Sequence, residues 1–194
     1  MAEKTSQIIR RPGHAPDSSL LLEEVLRIAP EPCKTYSDFQ VHRILTDHPR
    51  DYLNYLRAEL AAIAAGTARL ELPPKQVFTD SNDQGDFRVM PCIVRRAGCA
   101  RKTVKIVGTN LAQTVVPGQI TVGKAFALHA EENFVTHIFD ACLLSSARTG
   151  ACAALAMELL APCRRSVAVW GAGRVGYYAA FYAASLKGVD RVSL

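Results

Sequence analysis

The chain has 194 residues, 49% of them hydrophobic and 21% charged, which is the balance of an ordinary globular protein with material for a sizeable core. Its net charge of +5 comes from scattered basic pairs, Arg10-Arg11, Arg95-Arg96, Arg101-Lys102 and Arg164-Arg165, not from a basic run interleaved with aromatics. That pattern argues against a nucleic-acid partner and suits small anionic ligands. The six cysteines form no CxxC pair, which disfavours a zinc or disulfide framework and points to reduced thiols in the cytoplasm.

Residues 1–34 carry prolines at 12, 16, 30 and 32, and only Leu20 to Ile28 has an apolar pattern, so this is a poorly defined N-terminal segment. Met1 to Pro12 has no apolar core and does not read as a secretory signal. Ser37 or Asp38 can cap a short helix running to about Asp47. Pro49 fits the first turn of a second helix, with Leu53, Leu56, Leu60 and Ile63 at helical spacing and Gly66 at its C-terminal cap.

After Pro73-Pro74 the pattern changes to short β-rich runs. Phe87 to Val94, Thr103 to Val107 and Ile120 to Val122 are candidate strands, and Phe126 to His129 with Phe134 to Phe139 reads as a hairpin. A helix starting at Ser145 or Ser146 then ends before Pro162. Ala141 to Cys163 is the most apolar long stretch, but it contains Arg148 and Glu158 and reads as a buried helix, not a membrane span. Residues 35–163 thus form an α+β domain. His129 and His137 lie on the hairpin without ligand spacing and read as structural.

At Ser166 the grammar switches. Ser166 to Trp170 is a short apolar strand, followed by Gly171-Ala172-Gly173-Arg174-Val175-Gly176, a helix to about Lys187 capped by Gly188, and a second strand from Val189. A GxGxxG between a strand and a helix is the context that gives this motif meaning. Gly171 permits the tight turn, Gly173 lets a pyrophosphate approach the backbone, and Gly176 allows close helix–strand packing. The helix N-terminus offers free N–H groups to the phosphates. The residue that selects NAD or NADP falls roughly 20 residues beyond the motif, at or past Leu194, and Asp190 is not assigned that role. One strand, one helix and one strand are fewer than the roughly six strands of such a domain, so residues 164–194 are expected to be its truncated start.

From Pro73 to Leu194 the chain resembles the ornithine cyclodeaminase/mu-crystallin family in order and spacing. The stretches that carry the resemblance are PPKQVF (73–78), RVMPCIV (88–94), TVKIVGTN (103–110), FALHAEENFVTHIFDA (126–141), SSARTGACAALAMELLAP (145–162) and VAVWGAGRVG (167–176). AAIAAG (61–66) fits the family's N-terminal region. The resemblance implies an α/β protein: an α+β substrate-binding and dimerisation domain, then a Rossmann domain that binds NAD or NADP. It also implies a homodimer, a small amino-acid or imino-acid substrate, and hydride transfer at the α-carbon, as in ornithine cyclisation, amino-acid dehydrogenation or ketimine reduction.

Carried over residue by residue, the resemblance gives Arg148 as an arginine for the substrate α-carboxylate, for which the planar fork of a helix-start arginine is suited. The alternative is an arginine satisfying loop carbonyls. Lys105 on the strand TVKIVG becomes a carboxylate-binding or proton-transferring lysine, against the alternative of a snorkelling surface lysine. Lys75 stands where many relatives have an arginine, keeping the charge but losing the bidentate geometry. Thr149 either caps its helix or touches cofactor phosphate, capping being the simpler role. No residue matches the family's later catalytic aspartate. Three readings follow: an NAD(P)-dependent enzyme, a non-catalytic relative binding a small ligand, or a truncated inactive product.

Overall fold

The computed structural model describes residues 26–79 and 85–194; most of the Leu20 to Ile28 stretch lies outside them. The chain divides into two units, Met1–Pro32, whose described residues 26–32 carry no helix or strand, and Cys33–Leu194. Among the described residues, every helix and strand belongs to the second unit.

Its first strand, β1 (Lys34–Thr35), leads into helix α1 (Asp38–Thr46). Ser37 caps α1 through a reciprocal capping box: its Oγ accepts from Gln40 N–H at 3.3 Å, while its own N–H donates to Gln40 Oε1 at 2.9 Å. Helix α2 (Pro49–Ala64) opens on its proline and stops where Gly66 takes φ +71°. Leu53 turns into the core, whereas Leu60, which the spacing places on the same stripe, stays exposed.

Strands β2 (Ala68–Glu71), β3 (Gln76–Thr79), β4 (Asp86–Arg96), β5 (Cys99–Thr109), β6 (Thr121–Leu128) and β7 (Val135–Asp140) come next. They form one sheet in the order β1-β7-β6-β5-β4-β2, with β3 also paired to β4. The β4–β5–β6–β7 meander is antiparallel, and β1 joins β7 in parallel. Ile120 to Val122 and Phe126 to His129, read from sequence as separate strands, merge into β6. The hairpin from β6 to β7 turns at Glu131–Asn133 as expected. There His129 Nδ1 accepts from the backbone of Glu131 and Glu132, a structural role.

Helix α3 (Ala141–Leu160) begins four residues before the expected Ser145, because Asp140 caps it by accepting from Leu143 N–H at 2.7 Å. Sequence rules do not reveal this cap because Asp140 ends a strand, and strand runs straight into helix. By length and composition α3 is apolar enough to cross a membrane, yet it packs against α1, α2 and the sheet at the centre of the fold. Ala141, Ala147 and Ala151 are completely buried along it.

Strand β8 (Ser166–Ala168), helix α4 (Arg174–Ala184) and strand β9 (Arg191–Ser193) end the chain, with β8 and β9 parallel. A strand, a crossover helix and a parallel strand make the unit expected from the glycine motif, though each element is shorter than read. Helix α4 is locked to the rest through two tyrosines. Tyr178 Oη shares a hydrogen bond with His42 Nδ1 at 2.9 Å, and Tyr182 Oη donates to the Leu45 carbonyl at 2.7 Å. Both rings join Val41, Leu45, Leu53 and the alanine stripe of α3 in one core. Near the C-terminal end of α3, Glu158 is bracketed by Arg57 and Arg50 of α2.

Candidate functional site

A cleft of about 760 Å³ opens between the sheet and the glycine turn. The pleat determines its floor. Residues paired directly across strands share a face, and Met90 faces Lys105 while Arg88 faces Val107, so all four lie on one side. Lys75 stands one residue before the Gln76–Val89 pair, at the level of Met90. Lys75, Arg88, Met90, Lys105 and Val107 all line the cleft. Helix α3 contributes Cys142, Ser145, Ser146 and Thr149, and the opposite wall is the turn from Val169 to Gly176.

The glycines of that turn differ in what they do. Gly171 takes φ +105°, a conformation that side-chain-bearing residues rarely adopt. A Cβ on Gly176 would stand 1.8 Å from the Gly171 carbonyl oxygen, so the helix can start this close to the strand only without a side chain there. A Cβ on Gly173 would meet nothing within 4 Å, so that backbone faces open space. Gly173 is also the N-cap of α4 and offers no side chain to the free N–H groups. Arg174 puts a cation at the positive end of the helix, which is unfavourable unless an anion comes between. Its Nη2 donates to the Thr121 carbonyl at 3.4 Å, reaching across to β6. The turn therefore fits a bound pyrophosphate: an open backbone, free donors and a nearby cation.

Electrostatics on the floor favour anions. Burial, helped by the Arg148 charge, pushes the Lys105 ammonium below the ordinary lysine range. Hydrogen bonds from Thr109 and Arg88 hold the Asp86 carboxyl below its usual range. Arg88 Nε donates to Asp86 Oδ2 at 2.6 Å. Among the described residues no carboxylate lines the cleft.

The structure brings Lys75, Lys105, Thr149, Gly171, Gly173, Arg174, Val175 and Gly176 into one cleft, far apart though they are in sequence. Ala172 sits at the exposed tip of the turn. Arg148 is exposed beside Thr149 and is not among the lining residues. Neither residue starts the helix: both lie two turns inside α3. The capping role read for Thr149 is therefore corrected. Its hydroxyl donates back to the Ser145 carbonyl at 2.8 Å, and Asp140 caps instead. Arg88 is a cleft residue that the sequence reading does not bring forward, although its two-residue spacing from Met90 places both on one face of a strand.

The chain belongs to the ornithine cyclodeaminase/mu-crystallin family, whose model matches residues 34–194. No curated protein matches it in sequence. Among solved structures it is similar to an archaeal alanine dehydrogenase dimer with bound NAD, at 21% identity and a TM-score of 0.66, over 82% of this chain and 47% of that one. A lysine cyclodeaminase, described for recognition of L-lysine, L-ornithine and L-2,4-diaminobutyric acid, matches at 24% identity and a TM-score of 0.64, over 83% of this chain and 47% of that one. The Δ1-pyrroline-2-carboxylate reductase of Thermococcus litoralis, in complex with NADH and L-proline, matches at 15% identity and a TM-score of 0.55, over 83% and 47%. At these identities the likeness is one of fold. The chain spans about half the length of the solved structures it matches.

Proposed function

We propose that the chain forms the substrate-binding part, residues 35–163, and the beginning of the dinucleotide-binding part, residues 164–194, of an NAD(P)-dependent enzyme acting on a small amino or imino acid. The observation that carries this reading is that a phosphate-compatible glycine turn and a cationic sheet floor face each other across one cleft. Cofactors named in two of the similar structures, NAD and NADH, support it.

Gly171, Gly173, Gly176 and the first turn of α4, with Arg174 and Thr149 beside them, hold the pyrophosphate. Lys75 meets the α-carboxylate of the ligand, with Arg148 adding its field from outside the cleft lining. Lys105 either joins that contact or exchanges a proton at Nζ with the ligand's nitrogen, for which a lowered proton affinity is suited. A nicotinamide held there would supply hydride transfer at the carbon bearing the ligand's nitrogen. Burial first, then the nearby Asp140 charge, pushes the Cys142 thiol up, and its Sγ donates to the Thr121 carbonyl at 3.2 Å, which favours the protonated form.

Trp170 supplies the test. It lines the cleft, is 95% exposed and is the only tryptophan of the chain. Titration of the purified chain with NADH and NADPH is expected to quench its fluorescence saturably, with energy transfer to the nicotinamide. A flat response from a folded sample would overturn the cofactor reading.

We also infer a homodimer. The sheet face opposite the cleft carries Phe78, Phe87, Val89, Pro91, Val104 and Ile106, of which Phe78, Phe87 and Ile106 are exposed and the other three half-buried. One-sided antiparallel sheets normally turn a polar face outward, so such a face marks an interface.

A further inference from the structure

Among the described residues, Arg88 is held by a carboxylate side chain, as Lys75 and Lys105 on the same floor are not. Its Nε edge is taken by Asp86, and Asp86 is itself fixed by the Thr109 hydroxyl from the adjacent strand. Asp86 does not line the cleft, whereas Arg88 does. Asp86 thus takes the Nε–H, while among the described residues neither Nη has a hydrogen-bond partner, so those N–H donors remain for a ligand of the cleft that Arg88 lines.

Charge counting then narrows the ligand. Lys75, Arg88 and Lys105 surround Met90 on one face of the sheet, and Arg174 stands at the glycine turn. A pyrophosphate answers Arg174, one α-carboxylate answers one or two floor cations, and Asp86 offsets part of the Arg88 charge. A cationic guanidinium edge remains over. A ligand with a second ammonium would add a like charge to this floor, and among the described residues no carboxylate lines the cleft to receive it. A ligand with a second carboxylate would find a prepositioned, bidentate partner.

We propose that Arg88 is a specificity-determining residue that receives a side-chain carboxylate, so that the cleft takes an acidic α-amino or α-imino acid in preference to a neutral or diamino one. This rests on the reading of the cleft as an amino-acid or imino-acid site. Lys75 holds the α-carboxylate end, with Lys105 at the same contact or at the adjacent nitrogen, and Arg88, diagonal to Lys105 across the β4–β5 ladder, sets the length and charge of the side chain that fits.

Calorimetric titration of the full 194-residue chain with L-aspartate, L-alanine and L-ornithine at low salt, with NADH present, tests this. Aspartate is expected to bind about tenfold or more tightly than alanine, the value of one charge-assisted hydrogen-bonded contact, and ornithine most weakly. Arg88→Gln is expected to lower aspartate affinity about tenfold more than alanine affinity, and Arg88→Lys, which keeps the charge without the fork, to fall between. Equal affinities for aspartate and alanine, or a preference for ornithine, would overturn the role of Arg88 while leaving the amino-acid reading in place. An equal loss for all three ligands in Arg88→Gln would assign Arg88 to the α-carboxylate and overturn its selectivity role. Absence of binding by all three to a folded wild-type chain would overturn the amino-acid reading, and the selectivity with it. The wild-type comparison needs no variant and stands even if a substituted chain folds poorly.

Discussion

Lys105 shows how one residue can be costly to the empty fold and useful to the loaded one. Burial and the Arg148 charge both disfavour its ammonium, so in the folded chain it releases its proton below the ordinary lysine range. The unfolded chain then binds more protons between the two values, and stability rises with pH across that window. Below the window both states are protonated and the penalty is constant. Lys105→Met, close in length and without charge, is therefore expected to raise the melting midpoint of the ligand-free chain at neutral pH and to weaken amino-acid binding about tenfold or more. The stability difference should close as pH climbs toward the lysine range. Paired melts at neutral and alkaline pH check this; an unchanged or lowered midpoint at neutral pH would mean that Lys105 is already well solvated or paired.

At the scale of elements, the contact between α3 and α4 decides where the glycine turn sits. A Cβ on Gly150 would lie 2.5 Å from Ala179 N and 2.6 Å from the Tyr178 carbonyl carbon, both backbone atoms that cannot swing aside. The helices cross there at backbone distance, and Tyr178 and Tyr182 are thereby pressed into the core shared with α1. Gly150→Ala is expected to cost about 3 kcal/mol, roughly a 6–12 °C drop in melting midpoint. Because α4 starts at the turn, nucleotide-induced quenching of Trp170 should weaken in parallel. A midpoint close to wild type would show that the helices can part without loss. The same packing explains the burial of the two tyrosines: Tyr52, stacked 5.4 Å from Tyr182, has its phenol pushed up to about 12 mainly by burial, and Tyr182 is shifted in the same direction.

For the molecule as a whole, the sheet separates two tasks. One face carries the helices and the cleft, and the other is the apolar surface around Val89, Val104 and Ile106. Light scattering after gel filtration at tens of micromolar is expected to give about twice the 21.1 kDa chain mass. Ile106→Glu, at a position 40% exposed in the isolated chain, should convert it to monomer with little loss of monomer stability. A wild-type monomer would overturn the dimer reading without touching the cleft, because floor residues point to the opposite face.

Local rules in the sequence narrowed the cap of α1 to Ser37 or Asp38 and determined the proline start of α2, the strand runs of β4 and β5, and the glycine turn with its flanking strand and helix. Each depends on residues within a few positions of one another, where backbone preference and capping chemistry act alone. The family resemblance brought Lys75, Lys105 and Arg148 forward as candidates. Only the tertiary structure decided that Lys75 and Lys105 share a floor with Arg88 while Arg148 is exposed and outside the cleft lining, since strand register fixes which side chains meet and register is a long-range property. It also decided the start of α3, where Asp140 belongs to both strand and cap, and the need for a glycine at position 150. That need arises from a helix nearly thirty residues later in the chain, whose backbone passes too close for any side chain between them.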